Sequence, residues 1–155
     1  MQLKKLDQSF YTENTHLDQA LDNIDGSWAE GKVRGYGVVL ISIKSLSFGI
    51  PLRSRIRHKA NYITARSNER GIQGKGLDFS KAVLLTKPTY VSNQIYLIPD
   101  SEHKKLLSKE VHITNKFEKY VSRYIHAVNA PDHNILSSPE YRFTTLQHYH
   151  FELGL

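Results

Sequence analysis

The apolar residues between positions 113 and 128 recur at the spacing of one face of an α-helix. They follow the three- and four-residue intervals of an amphipathic helix, and they are Ile113, Phe117, Tyr120, Val121, Tyr124, Ile125 and Val128. Residues 129–131 (NAP) predict the end of this helix, because proline cannot continue a helix. The chain must therefore supply an apolar surface on which one long helix can pack.

The segment before this helix has the period-two alternation of β-strands. Apolar residues alternate along 36–43 and again along 46–52, and a short turn at Lys44-Ser45 lies between the two stretches. This pattern predicts a β-hairpin. Further strands are predicted at 62–64, 82–86 and 90–98, with a turn at Lys87-Pro88 between the last two.

Other segments have local signals of helix, loop or turn. Apolar spacing predicts a first helix over 13–23, and the sequence SPE at 138–140 predicts the start of a last helix. Residues 67–76 are predicted to form a mobile loop, and residues 76–81 a compact polar turn that Asp78 and Ser80 cap. The order of elements predicts one α+β domain over 1–155, a small twisted antiparallel sheet or barrel with packed helices.

The composition removes several classes of function. The 155 residues contain no cysteine, which excludes disulfides, thiolate nucleophiles and Cys-ligated metal sites. The eight histidines lack the spacing of a zinc motif, and no P-loop, dinucleotide fingerprint or GxSxG elbow is present. Neither a metal nor a cofactor is expected. Since there is also no signal peptide and no run of about 20 apolar residues, we expect a cytoplasmic protein without membrane contact.

Positive charge is concentrated in the middle of the chain. The whole chain has a formal charge of +6, but residues 30–87 hold 12 Lys or Arg against three acids, a balance of +9. The remainder of the chain is therefore mildly acidic. This asymmetry favours a surface that faces a polyanion, and nucleic acid is the first candidate.

The densest group of chemically useful side chains lies at 51–59 (PLRSRIRHK). It contains Arg53, Ser54, Arg55, Arg57, His58 and Lys59 and no acid. RNA cleavage by its own 2′-hydroxyl requires a proton acceptor, positive charge on the phosphorane and a proton donor for the leaving oxygen. These side chains could supply all three. The alternative is a solvated basic turn that only holds a phosphate.

More distant residues are candidates for RNA contacts. The predicted hairpin brings Arg34 and Lys32 near residue 54, although an edge-strand charge that limits aggregation explains Arg34 equally well. Other candidates are the strand-start lysine Lys81, the long-helix cations His112, Lys116, Lys119 and Arg123, and the aromatic residues Tyr11, Tyr36 and Tyr62. For the helix stripe the alternative is a solvated face, and for the tyrosines it is packing in the core.

Three short motifs carry a resemblance to a known family. They are RGYGVVL at 34–40, FGIPLRS at 48–54 and GLDFSK at 76–81. With these motifs the chain resembles the ToxN/AbiQ/TenpN family, the endoribonuclease toxins of type III toxin–antitoxin systems. It is most similar to the TenpN branch, which shares KFEKYV at 116–121 and TLQHYH at 145–150.

The resemblance implies an SH3-like barrel of the MazF/Kid kind with added helices. It also implies metal-independent cleavage of messenger or phage RNA that leaves 2′,3′-cyclic phosphate and 5′-hydroxyl ends. The implied inhibitor is a small non-coding antitoxin RNA, whose pseudoknot repeats bind the toxin in a closed assembly. The implied biological role is defence against phage.

The resemblance also implies positions for the active site. The family's hydroxyl and basic motif falls on Arg53 and Ser54, its preceding lysine falls on Arg34, and its N-terminal tyrosine falls near Phe10 or Tyr11. The ToxN branch has Thr-Ser-Pro-Lys-Lys where this chain has RSRIR at 53–57. An arginine is a poor general base because it does not deprotonate, so His58, Lys59 or Lys32 becomes a candidate for the acid or the base.

The sequence therefore predicts a metal-independent, sequence-preferring endoribonuclease. Ser54 is expected to activate or orient the 2′-hydroxyl, while Arg34 and Arg53 stabilise the phosphorane and Arg57 or His58 assists the leaving oxygen. The alternative is a non-catalytic RNA- or DNA-binding module that uses the same basic surface. A protein–protein adaptor is disfavoured, because it leaves the basic segment unexplained.

Overall fold

The computed structural model describes residues 1–31 and 33–155, which form an α+β fold. The strands are β1 (Leu3–Leu6), β2 (Asn23–Ile24), β3 (Ser27–Trp28), β4 (Tyr36–Leu40), β5 (Ser47–Ile56), β6 (Asn61–Arg66), β7 (Gly74–Asp78), β8 (Val83–Leu84) and β9 (Val91–Tyr96). The α-helices are α1 (Gln8–Glu13), α2 (Asp100–Leu106), α3 (Glu110–Asn129), α4 (His133–Leu136) and α5 (His150–Leu153). Within the described ranges, no helix is long and apolar enough to cross a membrane.

One antiparallel sheet organises the fold. Its strand order is β6-β7-β5-β4-β1-β9, and β8 pairs with the first half of β5. The predicted hairpin is confirmed, since Tyr36 on β4 lies opposite Pro51 on β5, and Leu40 lies opposite Ser47. The predicted strands at 62–64, 82–86 and 90–98 are confirmed as β6, β8 and β9. Along the described part of the chain, the sheet is an open path that ends at β6 and β9 rather than a closed barrel.

The strand β7, which lies between β5 and β6, corrects the end of the loop predicted at 67–76 and the start of the turn predicted at 76–81. Glycine-rich sequence indicated a loop followed by a turn, yet residues 74–78 pair with both β5 and β6. A Cβ atom at Gly76 would lie 2.1 Å from the backbone oxygen of Tyr62. Glycine is therefore required here because two strands approach closely, not because the chain turns. The turn itself begins later, as a 3-10 turn over Phe79–Lys81 that Asp78 caps as predicted.

The long helix α3 covers the core side of the sheet. It spans Glu110–Asn129, which confirms the predicted amphipathic helix. The ring of Phe117 packs edge-on against Phe48 at 5.1 Å and against Phe79 at 5.6 Å between ring centres. These contacts tie the helix to β5 and to the turn after β7, where the candidate site lies.

The predicted first helix over 13–23 is wrong. The helix is α1, which ends at Glu13, and residues 14–22 form successive turns. Side-chain amides of Asn14 and Asn23 donate to the backbone oxygens of Phe10 and Thr15. Such local bonds compete with a helical backbone. The apolar spacing therefore reports burial rather than a helix, since Leu17 and Ala20 are buried in the turns.

The predicted last helix after residue 138 is also wrong. The segment forms a 3-10 turn over Thr145–His148 and then the single-turn helix α5. Thr144 caps the 3-10 turn by accepting from the amide of Leu146, and the Thr145 hydroxyl donates to the backbone oxygen of Ala82. These threonine contacts fix an irregular backbone that buries Leu146 and leaves Phe143 exposed.

Candidate functional site

The carboxyl group of Asp78 is the centre of the candidate site. Asp78 ends β7 and is fully buried. Nη1 of Arg53 donates to Oδ2 at 2.8 Å, and Nε2 of His58 lies 3.0 Å from Oδ1. Ser80 donates to Oδ1 from its hydroxyl at 2.7 Å and from its amide at 3.0 Å. A single buried carboxylate thus joins a cation, an imidazole and a hydroxyl.

Strand pairing explains why these residues meet. Arg53 on β5 lies opposite Gly76 on β7, and Asn61 at the start of β6 lies opposite Asp78. His58 belongs to the connection between β5 and β6, so it reaches Asp78 from the other side. β5 and β6 therefore bring Arg53 and His58 to the carboxylate of the strand between them.

The hydrogen bonds of His58 indicate where its proton lies. Nδ1 accepts from the amide of Ala60 at 3.1 Å, so the proton of the neutral ring belongs on Nε2. Nε2 faces both the Asp78 carboxylate and the Ser80 hydroxyl, the latter at 3.1 Å. The side chain is only 10% exposed. His58 therefore binds protein groups through both ring nitrogens and supports the position of Asp78.

The surroundings of Asp78 keep it ionised. Burial raises the pKa of this carboxyl, but hydrogen bonds from His58, Ser80 and Arg53, with the charge of His58, outweigh burial and lower the pKa to about 2. At neutral pH its negative charge holds Arg53, whose side chain is 37% exposed. The remaining N–H groups of Arg53 are available to an anion.

Two residues that follow Arg53 on β5, Ser54 and Arg55, have different surroundings. Ser54 is exposed beside Arg53. Arg55 has a positive φ of 56°, which marks a β-bulge between Arg53 and Ile56. Its guanidinium binds Glu69 through two hydrogen bonds of 2.7 and 3.1 Å, and these bonds raise its pKa. The structure thus directs Arg55 toward the loop at 67–73, and Arg57 is exposed next to it.

Arg34 lies against the same strand as Arg53, as the hairpin predicted. Its Nη1 donates to the backbone oxygen of Leu52 at 2.7 Å. Its Nε and Nη2 bind Asp22 at 2.9 and 3.0 Å. Burial lowers the pKa of Arg34, but the hydrogen bonds and charge of Asp22 outweigh burial and raise it. An ion pair thus already occupies part of the guanidinium, and sequence reasoning gave no role to Asp22.

Two of the three candidate tyrosines, Tyr11 and Tyr36, lie next to this ion pair. Tyr36 is buried in the core, and burial raises its pKa well above the usual value. Tyr11 is partly buried and packs edge-on against Trp28, with 5.1 Å between ring centres. Both positions correspond to the core packing that was the alternative to base stacking.

The predicted lysines occupy two places. Nζ of Lys81 donates to the backbone oxygens of Gln19 and Phe143 at 2.9 and 2.8 Å, and burial lowers its pKa despite the nearby Asp78. A separate depression brings Lys59 together with the α3 residues Lys116, Lys119 and Arg123. Lys32 lies outside the described residues.

Sequence reasoning predicted Arg53 and His58 but assigned Asp78 and Ser80 only a capping role. The one local signal was that Asp78 is one of only three acids against 12 basic residues in the segment 30–87. Among the described side chains, no three His, Asp or Glu residues form a group that could hold a metal ion. Chemically, the arrangement can present a fixed guanidinium to an anion. Comparison of the chain with protein-family models, with curated proteins and with solved structures finds no match.

Proposed function

We propose that this protein is a metal-independent endoribonuclease that cleaves RNA through the 2′-hydroxyl. The observation that carries the proposal is the pair formed by Arg53 and the buried carboxylate of Asp78. The carboxylate orients a half-exposed guanidinium, and the exposed Ser54 follows Arg53 on the same strand. A guanidinium held in advance stabilises the charge that develops on a phosphorane without further reorganisation.

The proposed reaction breaks one phosphodiester bond. The 2′-hydroxyl gives its proton to a base, for which His58, Lys59 and Lys32 are the candidates, and its oxygen bonds to phosphorus. The bond from phosphorus to the 5′-oxygen breaks, and a protonated member of the same group returns a proton to the leaving oxygen. The products therefore carry 2′,3′-cyclic phosphate and 5′-hydroxyl ends. Ser54 orients the 2′-hydroxyl, and Arg53 and Arg34 stabilise the phosphorane. Arg57, which is exposed, assists the leaving oxygen with its charge and hydrogen bonds and not with a proton, because a guanidinium does not deprotonate. His58 serves there only when its ring turns away from Asp78, because Nε2 faces that carboxylate.

The resemblance to the ToxN/AbiQ/TenpN family supports a more specific form of this proposal. In that form the protein is the toxin of a type III toxin–antitoxin system that acts on messenger or phage RNA in the cytoplasm. Its inhibitor is a small antitoxin RNA with pseudoknot repeats, bound in a closed assembly. The strongly paired segment from β4 to β7 is then the counterpart of an SH3-like barrel.

A long RNA incubated with the purified protein in EDTA tests the proposal. We expect cuts at one short motif and chemically mapped cyclic phosphate and 5′-hydroxyl ends. Arg53→Ala and Ser54→Ala should each reduce cleavage, whereas Arg70→Ala, a change at an exposed arginine in the loop at 67–73, should not. Full cleavage by both site variants would show that the site is misassigned, and absence of any cut would remove the nuclease proposal.

A non-catalytic RNA- or DNA-binding module is the second candidate. The observation in its favour is that His58 binds protein groups through both ring nitrogens, while the Asp22 carboxylate occupies much of Arg34. Such a module should bind RNA without cutting it. Expression in cells also separates the two candidates, because a ribonuclease toxin without its inhibitor should stop growth and a passive binder should be tolerated.

A further inference from the structure

A basic groove runs between α3 and the β6 edge of the sheet. One part, about 310 Å³, is lined by Lys59, Lys116, Lys119 and Arg123. The other part, about 460 Å³, is lined by Lys59 and Lys116 again, together with Arg66 and Lys105. Both parts are lined by Lys59 and Lys116, so they adjoin at these two side chains, and we call the two together the α3 groove.

The positive charge of the α3 groove is not neutralised within the described chain. Glu140 is the one acid among its described lining residues, and none of the six cations forms an ion pair with another described residue. Neighbouring acids are bound elsewhere. Glu102 on α2 binds Lys75, and Glu118 on α3 accepts from the amides of Ser42 and Ile43. The arrangement therefore leaves a track of positive potential rather than a salt-bridged surface.

Packing holds two of these cations in place. Nζ of Lys116 donates to the backbone oxygen of Asn61 at 2.6 Å and lies 5.9 Å from the centre of the Phe79 ring. The guanidinium of Arg123 lies 5.8 Å from the centre of the Tyr141 ring. Burial lowers the pKa of Lys116. Cations fixed in this way lose less side-chain freedom when they bind a phosphate than free surface lysines do.

The far end of the groove offers an aromatic surface. Tyr62 is partly exposed, and its ring meets the ring of His112 edge-on at 5.9 Å between centres. The Tyr62 hydroxyl donates to the backbone oxygen of Lys105, which fixes the ring. Single-stranded nucleic acid combines backbone phosphates with unstacked bases, and such bases stack on aromatic side chains. A cationic groove with a fixed tyrosine at its side suits that ligand.

The groove begins next to the Asp78 centre. Lys59 and Ala60 directly follow His58, and Phe79 directly follows Asp78. The amide of Phe79 donates to the backbone oxygen of Ala60 at 3.0 Å, which joins the floor of the groove to the site. We propose that the α3 groove binds the sugar–phosphate backbone of single-stranded RNA whose adjacent nucleotides reach Arg53. The identity of the polymer rests on the proposed function, but binding in the groove does not require cleavage.

The test measures binding of a 20-nucleotide single-stranded RNA with 2′-O-methyl groups, which the 2′-hydroxyl mechanism cannot cut. Each phosphate contact contributes about 0.7 to the slope of log K against log salt concentration for a single strand. The double variant Lys119→Gln/Arg123→Gln should therefore lower the slope by about 1.4 and weaken binding about tenfold at low salt. Lys59→Gln should lower the slope by about 0.7. The matched control is Lys104→Gln/Lys109→Gln, which removes two exposed cations outside the groove.

The outcomes separate this inference from the proposed nuclease activity. Groove variants that bind as the control does would overturn the groove assignment, even if the protein cleaves unmodified RNA. Binding that is weaker in the groove variants but unchanged in the control supports the groove assignment. This holds even if the protein cuts no RNA, and then only the nuclease proposal fails. The assignment to single-stranded RNA would be overturned if the protein bound a DNA duplex more tightly and the groove variants lowered the salt dependence of that binding by the same amount.

Discussion

Nη1 of Arg53 lies 2.8 Å from Oδ2 of Asp78, so a half-exposed cation on one strand is held by a fully buried carboxylate on the next. The two residues are separated by 25 positions in the chain. The pair exists only when β5 and β7 are correctly aligned. The position of the proposed phosphate-binding group and the integrity of the sheet therefore depend on each other.

Asp78→Asn should lower the free energy of unfolding at neutral pH by about 2 kcal/mol. This value follows from the pKa of the Asp78 carboxyl, which the folded state lowers from 3.8 to about 2. The pKa is lower in the folded state than in the unfolded state. This contribution is therefore fully present above about pH 4, and it disappears as the pH falls toward 2. Denaturant unfolding of both proteins between pH 7 and pH 2 measures the effect.

The pH dependence of the unfolding free energy shows whether Asp78 stabilises the fold through its charge or through its shape. The difference in unfolding free energy between wild type and Asp78→Asn should shrink as the pH falls from 4 to 2. A difference that stays constant over this range would show that the carboxylate charge does not stabilise the fold. Asp25→Asn, at an exposed carboxyl, provides the control for a simple loss of charge.

Arg53→Lys should retain the positive charge but lose the planar fork that binds Asp78 and a phosphate together. We expect kcat for RNA cleavage to fall about 100-fold, the size found when one fixed donor to a developing charge is removed. Single-turnover cleavage of a short RNA at saturating protein isolates this effect from binding. Wild-type rates in the lysine variant would mean that point charge alone suffices and that the orientation by Asp78 is irrelevant to chemistry.

Asp22→Asn should tighten RNA binding, because Arg34 loses the carboxylate that binds its Nε and Nη2. If Arg34 then contacts a phosphate, the slope of log K against log salt should increase by about 0.7. Binding of the same 2′-O-methylated RNA measures this change, with Asp25→Asn as the charge-matched control. Equal affinities for the two variants would indicate that Arg34 has a structural role only.

Gly76→Ala should strongly destabilise the sheet. The added Cβ would lie 2.1 Å from the backbone oxygen of Tyr62 and 2.7 Å from the Cα of Ile63, so β6 and β7 would have to separate. We expect a loss of at least about 3 kcal/mol, within the range of severe core overpacking. Gly71→Ala is the control, since its Cβ meets nothing within 4 Å and only its positive φ of 79° costs about 1 kcal/mol. Thermal unfolding compares the two, and similar losses would contradict the steric explanation.

The sequence by itself determined the elements whose signals are local and periodic. The apolar stripe at 113–128 specified α3, and the alternation around Lys44-Ser45 specified the β4–β5 hairpin. Such patterns are reliable because each apolar position needs burial on one face of a regular element. The same reasoning identified Arg53 and His58 as candidates, since basic residues crowded without acids are visible in one dimension.

Tertiary structure alone decided β7, the turns at 14–22 and the centre of the site. Gly76 indicated a loop, because sequence cannot reveal that a backbone oxygen from β6 occupies the space of its side chain. The spacing of Leu17 and Ala20 indicated a helix. Instead, side-chain amides of neighbouring asparagines donate to backbone oxygens that a helix would bind through its own amides. Asp78 became the partner of Arg53 and His58 only through antiparallel pairing across three strands. A buried charge is stable only when partners surround it, and two of the partners of Asp78, Arg53 and His58, reach it only through the pairing of the sheet.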